Sequence, residues 1–396
     1  MIKQIAIIFG LIFSLFAAGL VSSSIVEAAG GPDVSIYGFV QMDAIYDLNT
    51  VDPAWAATLR PSKIPVNCPV GGPLDAGCGK DGNTLFSVRQ SRFGVNGNFP
   101  TEAGELHTKF EFDMFGVGQD AGQTTIRLRH AYGEMGAFLA GQTNSLFMDG
   151  DVFPNTIDYW GPGGMVFFRN IQLRWTPMRS DHAKFAVALE SPGSAIDTGN
   201  VANPDGWGSW NHYPDLTAQY HINQPWGHAQ VAGIVRWLGY QNPTNAGITK
   251  SSGHVYGEGI NLSGSLKTKG KDQLLAQVAY GKGIANYFND CCVDVAPNSA
   301  LNKGEAVPLL GWLLYYDHYW NEKWSSSVGY SVQNQNNTGG QNANAFANGA
   351  YASGNLLWYP AKGVMMGGEL LWGQRQNNNG NTGNDTRVQF SAKYNF

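Results

Sequence analysis

The chain has 396 residues, a formal net charge of −5 and 14% charged side chains. This balance lacks the basic footprint of a nucleic-acid-binding protein, so we expect no nucleic-acid partner. Beyond the N-terminal region, no stretch has the roughly 18 consecutive apolar residues of a membrane-spanning helix, which leaves a water-soluble secreted protein or an outer-membrane β-barrel.

The N-terminus has the features of a secretory signal peptide. Lys3 precedes a long apolar run, Ile5–Val21, and small residues follow at a candidate cleavage site. We predict a signal peptide over residues 1–29 that is cleaved near Ala28 or Ala29. An uncleaved membrane anchor is the alternative.

Apolar and polar residues alternate in about sixteen segments of the remaining chain. The segments centre on 34–47, 84–98, 104–115, 124–135, 136–143, 166–177, 182–191, 213–223, 226–239, 254–267, 271–283, 306–319, 323–334, 346–359, 363–376 and 385–396. Short and long connections alternate, as in bacterial barrels with short periplasmic turns and longer outer loops. We therefore predict that residues 30–396 form one all-β domain, a transmembrane antiparallel β-barrel of about 16 strands in the outer membrane of a Gram-negative bacterium.

Two cysteine pairs lie in polar loop regions of this predicted barrel. Cys68 and Cys78 share one Gly/Pro-rich stretch, and Cys291 and Cys292 are adjacent in another. In an oxidising compartment, a Cys68–Cys78 disulfide would staple a surface loop. A vicinal Cys291–Cys292 disulfide and pairing between the two loops are both open, and metal binding is the weaker interpretation because no histidine neighbours either site.

Charged side chains on the predicted strands share the face that points into the barrel. In the hairpin formed by Leu106–Met114 and Thr124–Tyr132, apolar and charged side chains alternate, and neighbouring strands continue the pattern. The predicted pore-lining or substrate-binding residues are Arg92, Lys109, Arg127, Arg129, Arg174, Glu111 and Asp113. Arg89 and Arg169 have the opposite parity and are expected at strand ends or in a bulge, and His130 has outward parity.

These inward charges have two interpretations. A cationic strip would attract anions, because the planar guanidinium group of arginine can hold a carboxylate through two hydrogen bonds. Alternatively, the arginines brace the wall by pairing with Glu111, Asp113 and Glu134. Small inward residues favour an open lumen, and they are Ser263, Ser265, Ser325, Ser327, Gly329 and Ser331.

The segment Gln142–Asn170 interrupts the alternating pattern. It is too long and irregular for a surface turn, yet it is rich in aromatic residues, which favour burial. We predict that it folds into the lumen as a constriction loop. Its candidate functional residues are Asp149, Asp151, Phe153, Asp158, Tyr159 and Trp160. The three carboxylates would oppose the cationic strip, whereas the rings could contact a planar ligand or pack on the wall.

The end of the chain alternates from Val388 to Phe396 and resembles the terminal strand of outer-membrane barrel proteins. Such strands end in an aromatic residue and are recognised by the barrel-assembly machinery. We expect this strand to pair with Val34–Asp47 and close the barrel, which leaves no exposed edge.

Further motifs lie within residues 35–190. They are Tyr37–Val40, Asp43–Asp47, Arg89–Gly94, Lys109–Asp113, Thr125–Glu134, Ala140–Thr143, Asp151–Thr156, Tyr159–Pro162 and Phe167–Asn170. This set resembles the DcaP-like family of outer-membrane porins. The resemblance implies trimers of sixteen-stranded barrels with a pore through each protomer, and uptake of small anions, notably dicarboxylates and aromatic carboxylates.

The predicted function is passive diffusion of small hydrophilic solutes through the outer membrane, with anions favoured. A structural or adhesive surface barrel without substantial transport is the alternative. An enzyme is not expected, since the sequence contains no Gly-x-Ser-x-Gly motif and no metal-ligand histidine pair. We predict no cofactor and no metal site, and the expected partners are outer-membrane lipid, further copies of the chain and small anionic solutes.

Overall fold

The computed structural model describes residues 31–66, 68, 78–116, 125–201, 207–241 and 252–396. The predicted signal peptide, residues 1–29, and its cleavage site near Ala28 or Ala29 lie outside these ranges. Among the described residues, no helix combines the length and the apolar character needed to cross a membrane.

Sixteen antiparallel strands form the wall of a closed barrel. Their bounds are β1 Asp33–Asp47, β2 Asn83–Ser87 with Arg92–Thr101, β3 Gly104–Asp113, β4 Arg127–Met135, β5 Phe138–Asn144, β6 Arg169–Arg179, β7 Ala183–Glu190, β8 Asp215–Gln224, β9 Gly227–Gln241, β10 Ser252–Lys267, β11 Gln273–Lys282, β12 Pro308–Asn321, β13 Trp324–Gln335, β14 Phe346–Trp358, β15 Val364–Asn377 and β16 Thr382–Asn395. Both segments of β2 pair with β1. The predicted fold class and strand number are confirmed.

The first and last strands close the barrel. Strand β1 pairs with β16 from Phe39 opposite Asn395 to Asp47 opposite Arg387. Each of these two strands is thereby paired on both sides, which a bilayer requires because unpaired backbone groups are costly in hydrocarbon. The predicted pairing of the terminal strand with Val34–Asp47 is confirmed.

Side chains alternate between the lipid face and the lumen. On β16, Phe390 and Tyr394 are 61% and 56% exposed, whereas Arg387, Gln389 and Ser391 are buried inside the barrel. An apolar outer face and a polar inner face are what a strand between lipid and a polar lumen requires.

A bulge in β4 shifts the parity of part of this strand. Glu111 pairs with His130, whereas Phe112 pairs with Leu128, so Arg129 is the extra residue. Arg129 and His130 are consequently both buried. The predicted outward orientation of His130 is wrong, because that prediction assumed unbroken alternation.

Residues 145–168, the inner loop, connect β5 to β6 and cross the lumen. The backbone N–H of Ile157 donates to Glu369 of β15 at 2.9 Å, and that of Gly164 donates to the Ser331 hydroxyl of β13 at 2.8 Å. Both acceptors lie on the wall far from β5 and β6 in the strand order. The loop therefore folds inward, as predicted.

An apolar core fills the space between the loops and the wall. In one cluster, Leu59 of loop 48–82 and Met165 of the inner loop pack on Tyr315 and Leu371 of the wall. Burying these side chains releases water and stabilises the loops inside the barrel.

Small inward side chains accommodate the loops and packed rings. Ser325, Ser327 and Ser331 are no more than 1% exposed. The Tyr315 ring lies against Gly329, where a Cβ atom would meet the ring at 2.3 Å. The expectation of open space at these four inward positions is wrong, because the sequence does not reveal which segments pack there.

Candidate functional site

A cavity of about 430 Å³ lies in the lumen between the inner loop and the wall. Its charged lining residues are Arg92, Lys109, Arg129 and Lys393, with Glu111 and Asp158. Four basic groups therefore face two carboxylates. Because the surrounding wall has a low dielectric constant, an excess of positive charge at the cavity strengthens the local electric field and concentrates anions.

Arg129 belongs to a hydrogen-bonded network on the wall. Its guanidinium group donates to Glu111 Oε1 at 2.6 Å, to Asp113 Oδ2 at 2.9 Å and to the Tyr159 hydroxyl at 2.9 Å. Arg127 also donates to Asp113 Oδ2, at 2.8 Å, and lies 5.1 Å from the centre of the Tyr159 ring. These two arginines therefore brace β3 and β4 against the inner loop.

Three other basic side chains at the cavity have looser contacts. The Arg92 Nε atom is 3.7 Å from Glu111 Oε1, and Lys109 Nζ is 3.9 Å from the other oxygen of the same carboxylate. The Arg92 and Lys393 cations lie over the Phe39 ring, at 5.1 Å and 4.0 Å from its centre. Because none of the three is in a close ion pair with another described residue, they are the best placed to contact a solute anion.

Arg174 lies next to the cavity, since it contacts Asn144, one of the lining residues. It donates to Gln172 Oε1 at 3.0 Å and to the backbone carbonyl oxygen of Asn144 at 2.6 Å, so it supports the base of the inner loop. Arg89 lies between the two segments of β2 and Arg169 begins β6, which confirms their predicted positions at strand ends.

The three loop carboxylates occupy different environments. Asp158 is buried and accepts hydrogen bonds from Thr58, Leu59 and Tyr351. Burial raises the pKa of Asp158 above its ordinary value, although the charge of Arg387 opposes this shift.

Asp149 is also buried, in contact with His228 and Ser263, whereas the Asp151 side chain is 68% exposed. The acids therefore do not form one exposed face against the basic groups. Of the three, Asp151 alone presents an exposed carboxylate to the solvent.

The aromatic residues of the inner loop mostly pack against other loop or wall residues. Tyr159 stacks on Phe115 with ring centres 4.0 Å apart, and Trp160 meets Trp55 edge-on at 5.1 Å. Phe153, Tyr159 and Trp160 all line the cavity, but Phe153, which meets Phe167 edge-on at 5.1 Å, is the most exposed of the three at 38%. It is therefore the loop ring most accessible to a planar solute.

Phe39 and Lys393 are among the lining residues that were not predicted from the sequence. They face each other from β1 and β16. Both have inward parity, since Val40 and Tyr394 next to them point outward with exposures of 57% and 56%. Extending the parity rule to the two closing strands would have identified both.

Two disulfides lie in the loops. One joins Cys68 to Cys78 within loop 48–82, and the other joins the neighbours Cys291 and Cys292. Next to the second disulfide, Asp290 accepts hydrogen bonds from Arg60 and from the Ser62 backbone N–H, at 2.9 Å and 2.7 Å. These contacts tie loop 48–82 to loop 283–307.

Comparisons with known proteins agree with this architecture. The family model described as DcaP outer membrane protein matches residues 24–396. The crystal structure of the outer membrane channel DcaP of Acinetobacter baumannii is similar, with 24% identity, a TM-score of 0.78, and coverage of 94% of this chain and 99% of that one.

More distant structures share the fold alone. The anion-selective porin from Comamonas acidovorans has 11% identity and a TM-score of 0.55, covering 92% of this chain and 100% of its own. The trimer form of OmpT from Vibrio cholerae has 10% identity and a TM-score of 0.55, covering 93% and 100%. No curated protein matches the chain. The match to nearly the whole chain decides the family: the chain belongs to the DcaP outer membrane protein family.

Proposed function

We propose that the protein is a passive outer-membrane channel for small hydrophilic solutes and that it favours anions. The observation that carries this proposal is the luminal cavity, in which four basic groups face two carboxylates. Solute anions are concentrated in such a field, whereas cations are repelled. Two of the similar structures are those of an outer membrane channel and of an anion-selective porin, which supports the same class for this chain.

Dicarboxylates and aromatic carboxylates are the anions that the cavity suits best. Arg92, Lys109 and Lys393 can engage two carboxylate groups of one solute, because they reach the cavity from different strands. The exposed ring of Phe153 adds an aromatic surface. In this proposal the inner loop acts as the constriction, and Arg127, Arg129 and Asp113 hold it in place.

The remaining expectations concern assembly and location. We infer a cleaved signal peptide ending near Ala28 or Ala29, a location in outer-membrane lipid, recognition of the C-terminal strand ending in Phe396 by the barrel-assembly machinery, and a homotrimer. The similar OmpT structure is described as a trimer form, which supports the last point.

Charge-removal variants in planar lipid bilayers test the anion preference. Under a salt gradient, Lys109→Gln and Lys393→Gln should each shift the reversal potential towards that of a non-selective pore. Lys271→Gln is the matched control, since its side chain is 66% exposed near the β10–β11 turn. An equal shift in the control, or no shift in both cavity variants, would contradict the proposal.

A structural or adhesive barrel is the second candidate, because loops and apolar clusters fill much of the lumen. The same bilayer recordings separate the two candidates. A folded, inserted protein that carries no current would favour the structural barrel over the channel.

A further inference from the structure

Two histidines and two carboxylates meet where the inner loop touches the β8–β9 hairpin. His221 lies on β8 and His228 on β9, and Asp149 and Asp151 face them from the loop. One nitrogen or oxygen atom from each of the four side chains lies within 4.8 Å of the others. The sequence shows no metal-ligand histidine pair at close spacing, because these two histidines are brought together only by the pairing of two strands.

The imidazole rings are oriented as metal ligands commonly are. His228 Nδ1 is 2.7 Å from the Ser265 hydroxyl, and its Nε2 is 2.9 Å from Asp149 Oδ2. In protein metal sites, the second ring nitrogen of a ligand histidine usually contacts an outer partner, which fixes the ring orientation. The Ser265 hydroxyl is in the position of that partner.

His221, next to His228, also has one ring nitrogen near a polar side chain and the other directed toward a loop carboxylate. Its Nδ1 is 3.3 Å from Gln230 Oε1, and its Nε2 is 3.9 Å from Asp151 Oδ2 and 3.1 Å from Asn223 Oδ1. The His221 and His228 rings lie nearly parallel, with centres 5.0 Å apart and an interplanar angle of 12°. Both Nε2 atoms thus face the carboxylates of the inner loop.

The hydrogen bonds of this cluster include both ring nitrogens of His221, which contact Gln230 and Asn223, but they do not join His221 to Asp151. His228, Asp149 and Ser263 form close contacts of 2.9 Å and 2.6 Å that would hold the loop without a ligand. His221 and Asp151, at 3.9 Å, are too far apart for a hydrogen bond. An exposed carboxylate held at that distance from an imidazole leaves space for a third group between them.

We propose that Asp149, Asp151, His221 and His228 bind one divalent transition-metal ion of the zinc class. Imidazole nitrogen and carboxylate oxygen are both ligands of Zn²⁺, whereas Mg²⁺ and Ca²⁺ favour oxygen ligands alone. Ligand atoms bound at about 2.0–2.2 Å from one ion lie within about 4.4 Å of each other, so the cluster needs only a small contraction. The exposed Asp151 side chain can supply this movement and gives the ion a route from the lumen.

The ion would connect the inner loop to the β8–β9 wall. Two of its ligands come from the loop and two from the hairpin, so binding favours the conformation in which the loop is held against the wall. This inference does not depend on the proposed anion preference, since a metal site can exist in either a channel or a structural barrel.

Metal binding to the full, mature protein tests the proposal. Protein purified without a histidine tag is dialysed against Zn²⁺ at low micromolar concentration, and the bound metal is counted by atomic emission. We expect one Zn²⁺ per protomer in the presence of excess Mg²⁺, and a higher midpoint of thermal unfolding when Zn²⁺ is bound. His221→Gln and Asp151→Asn should each weaken binding by about tenfold or more and abolish the thermal shift.

His182→Gln is the matched control, because this histidine is exposed at the β6–β7 turn and should bind no ion in this cluster. His221 and Asp151 are chosen for substitution because the close His228–Asp149 contact can hold the loop without them. Unchanged stoichiometry and affinity in both variants would overturn the proposal, as would the absence of bound Zn²⁺ in the unmodified protein. Retained folding of the variants is checked by the heat-dependent mobility of the barrel in gels.

Discussion

Basic side chains in the lumen have two separate tasks, and their hydrogen bonds distinguish them. Arg129 donates to two carboxylates and a tyrosine hydroxyl, so binding a solute anion would cost it existing contacts. Lys393 lies beside the Phe39 ring at the cavity surface and can exchange water for a carboxylate. Residue type and inward parity did not separate these tasks, because the partner of each charge depends on tertiary contacts.

Replacing Phe153 with alanine should weaken block of the pore by phthalate more than block by succinate. Only phthalate can pack its ring against the exposed Phe153 ring, and one aromatic contact contributes about 1 kcal/mol, which corresponds to roughly fivefold in affinity. The concentration dependence of current block in bilayers measures the affinity of the pore for phthalate and for succinate. Equal weakening for the two dicarboxylates would rule out an aromatic contact at Phe153.

Asp290→Asn should destabilise the protein at neutral pH by about 3 kcal/mol, the cost of breaking a buried ion pair. Burial disfavours the charged form of Asp290, but the charge of Arg60 and hydrogen bonds from Ser62 outweigh it and lower its pKa. A lowered folded-state pKa gives stability that is present above the ordinary carboxyl pKa and is lost as the pH falls through the folded-state value.

The difference in free energy of unfolding between Asp290→Asn and the unmodified protein should therefore be smaller at pH 3 than at pH 7. Urea unfolding in detergent micelles at the two pH values measures it. A difference of the same size at both values would show that the Asp290 charge does not stabilise the loops.

At the scale of elements, the strands were predictable and the loop contacts were not. Alternation is a local property with a period of two residues, so it identified all sixteen strands. The β4 bulge at Arg129 was not predicted, because a single extra residue cannot be recognised in an alternating sequence pattern. Loop contacts such as Asn155 with Asp317, 162 residues apart, depend on the closed barrel.

Gly164→Ala should loosen the inner loop and increase single-channel conductance or its fluctuations. A Cβ atom at Gly164 would lie 2.1 Å from the backbone oxygen of Val332 and 2.7 Å from that of Trp312, so the loop must move away from the wall. Gly150→Ala is the control in the same loop, where the nearest atoms would lie at 3.8 Å and 3.9 Å. The same single-channel conductance and fluctuations in both variants and in the unmodified protein would contradict the proposal that the inner loop limits the pore.

At the scale of the whole molecule, the barrel combines an apolar exterior with a partly filled, charged interior. The exterior fits outer-membrane lipid. A basic cavity lies beside the inner loop in this interior. The family and the barrel followed from sequence motifs and strand pattern, whereas the cavity required the positions of the loops.

The protein extracted in a mild detergent should have the mass of about three protomers, as the family resemblance implies. Size-exclusion chromatography with light scattering, corrected for bound detergent, measures this mass. A single-protomer mass across several detergents and in native-membrane particles would contradict the trimer.

The reversal potential of the unmodified protein in a planar bilayer under a salt gradient tests the central claim most directly. The excess of basic groups at the cavity predicts anion selectivity, which should decrease as the salt concentration rises and charges are screened. Succinate and phthalate added on one side should block or carry current. Cation selectivity would contradict the account, because it would mean that the loop carboxylates, and Asp151 above all, control the passage.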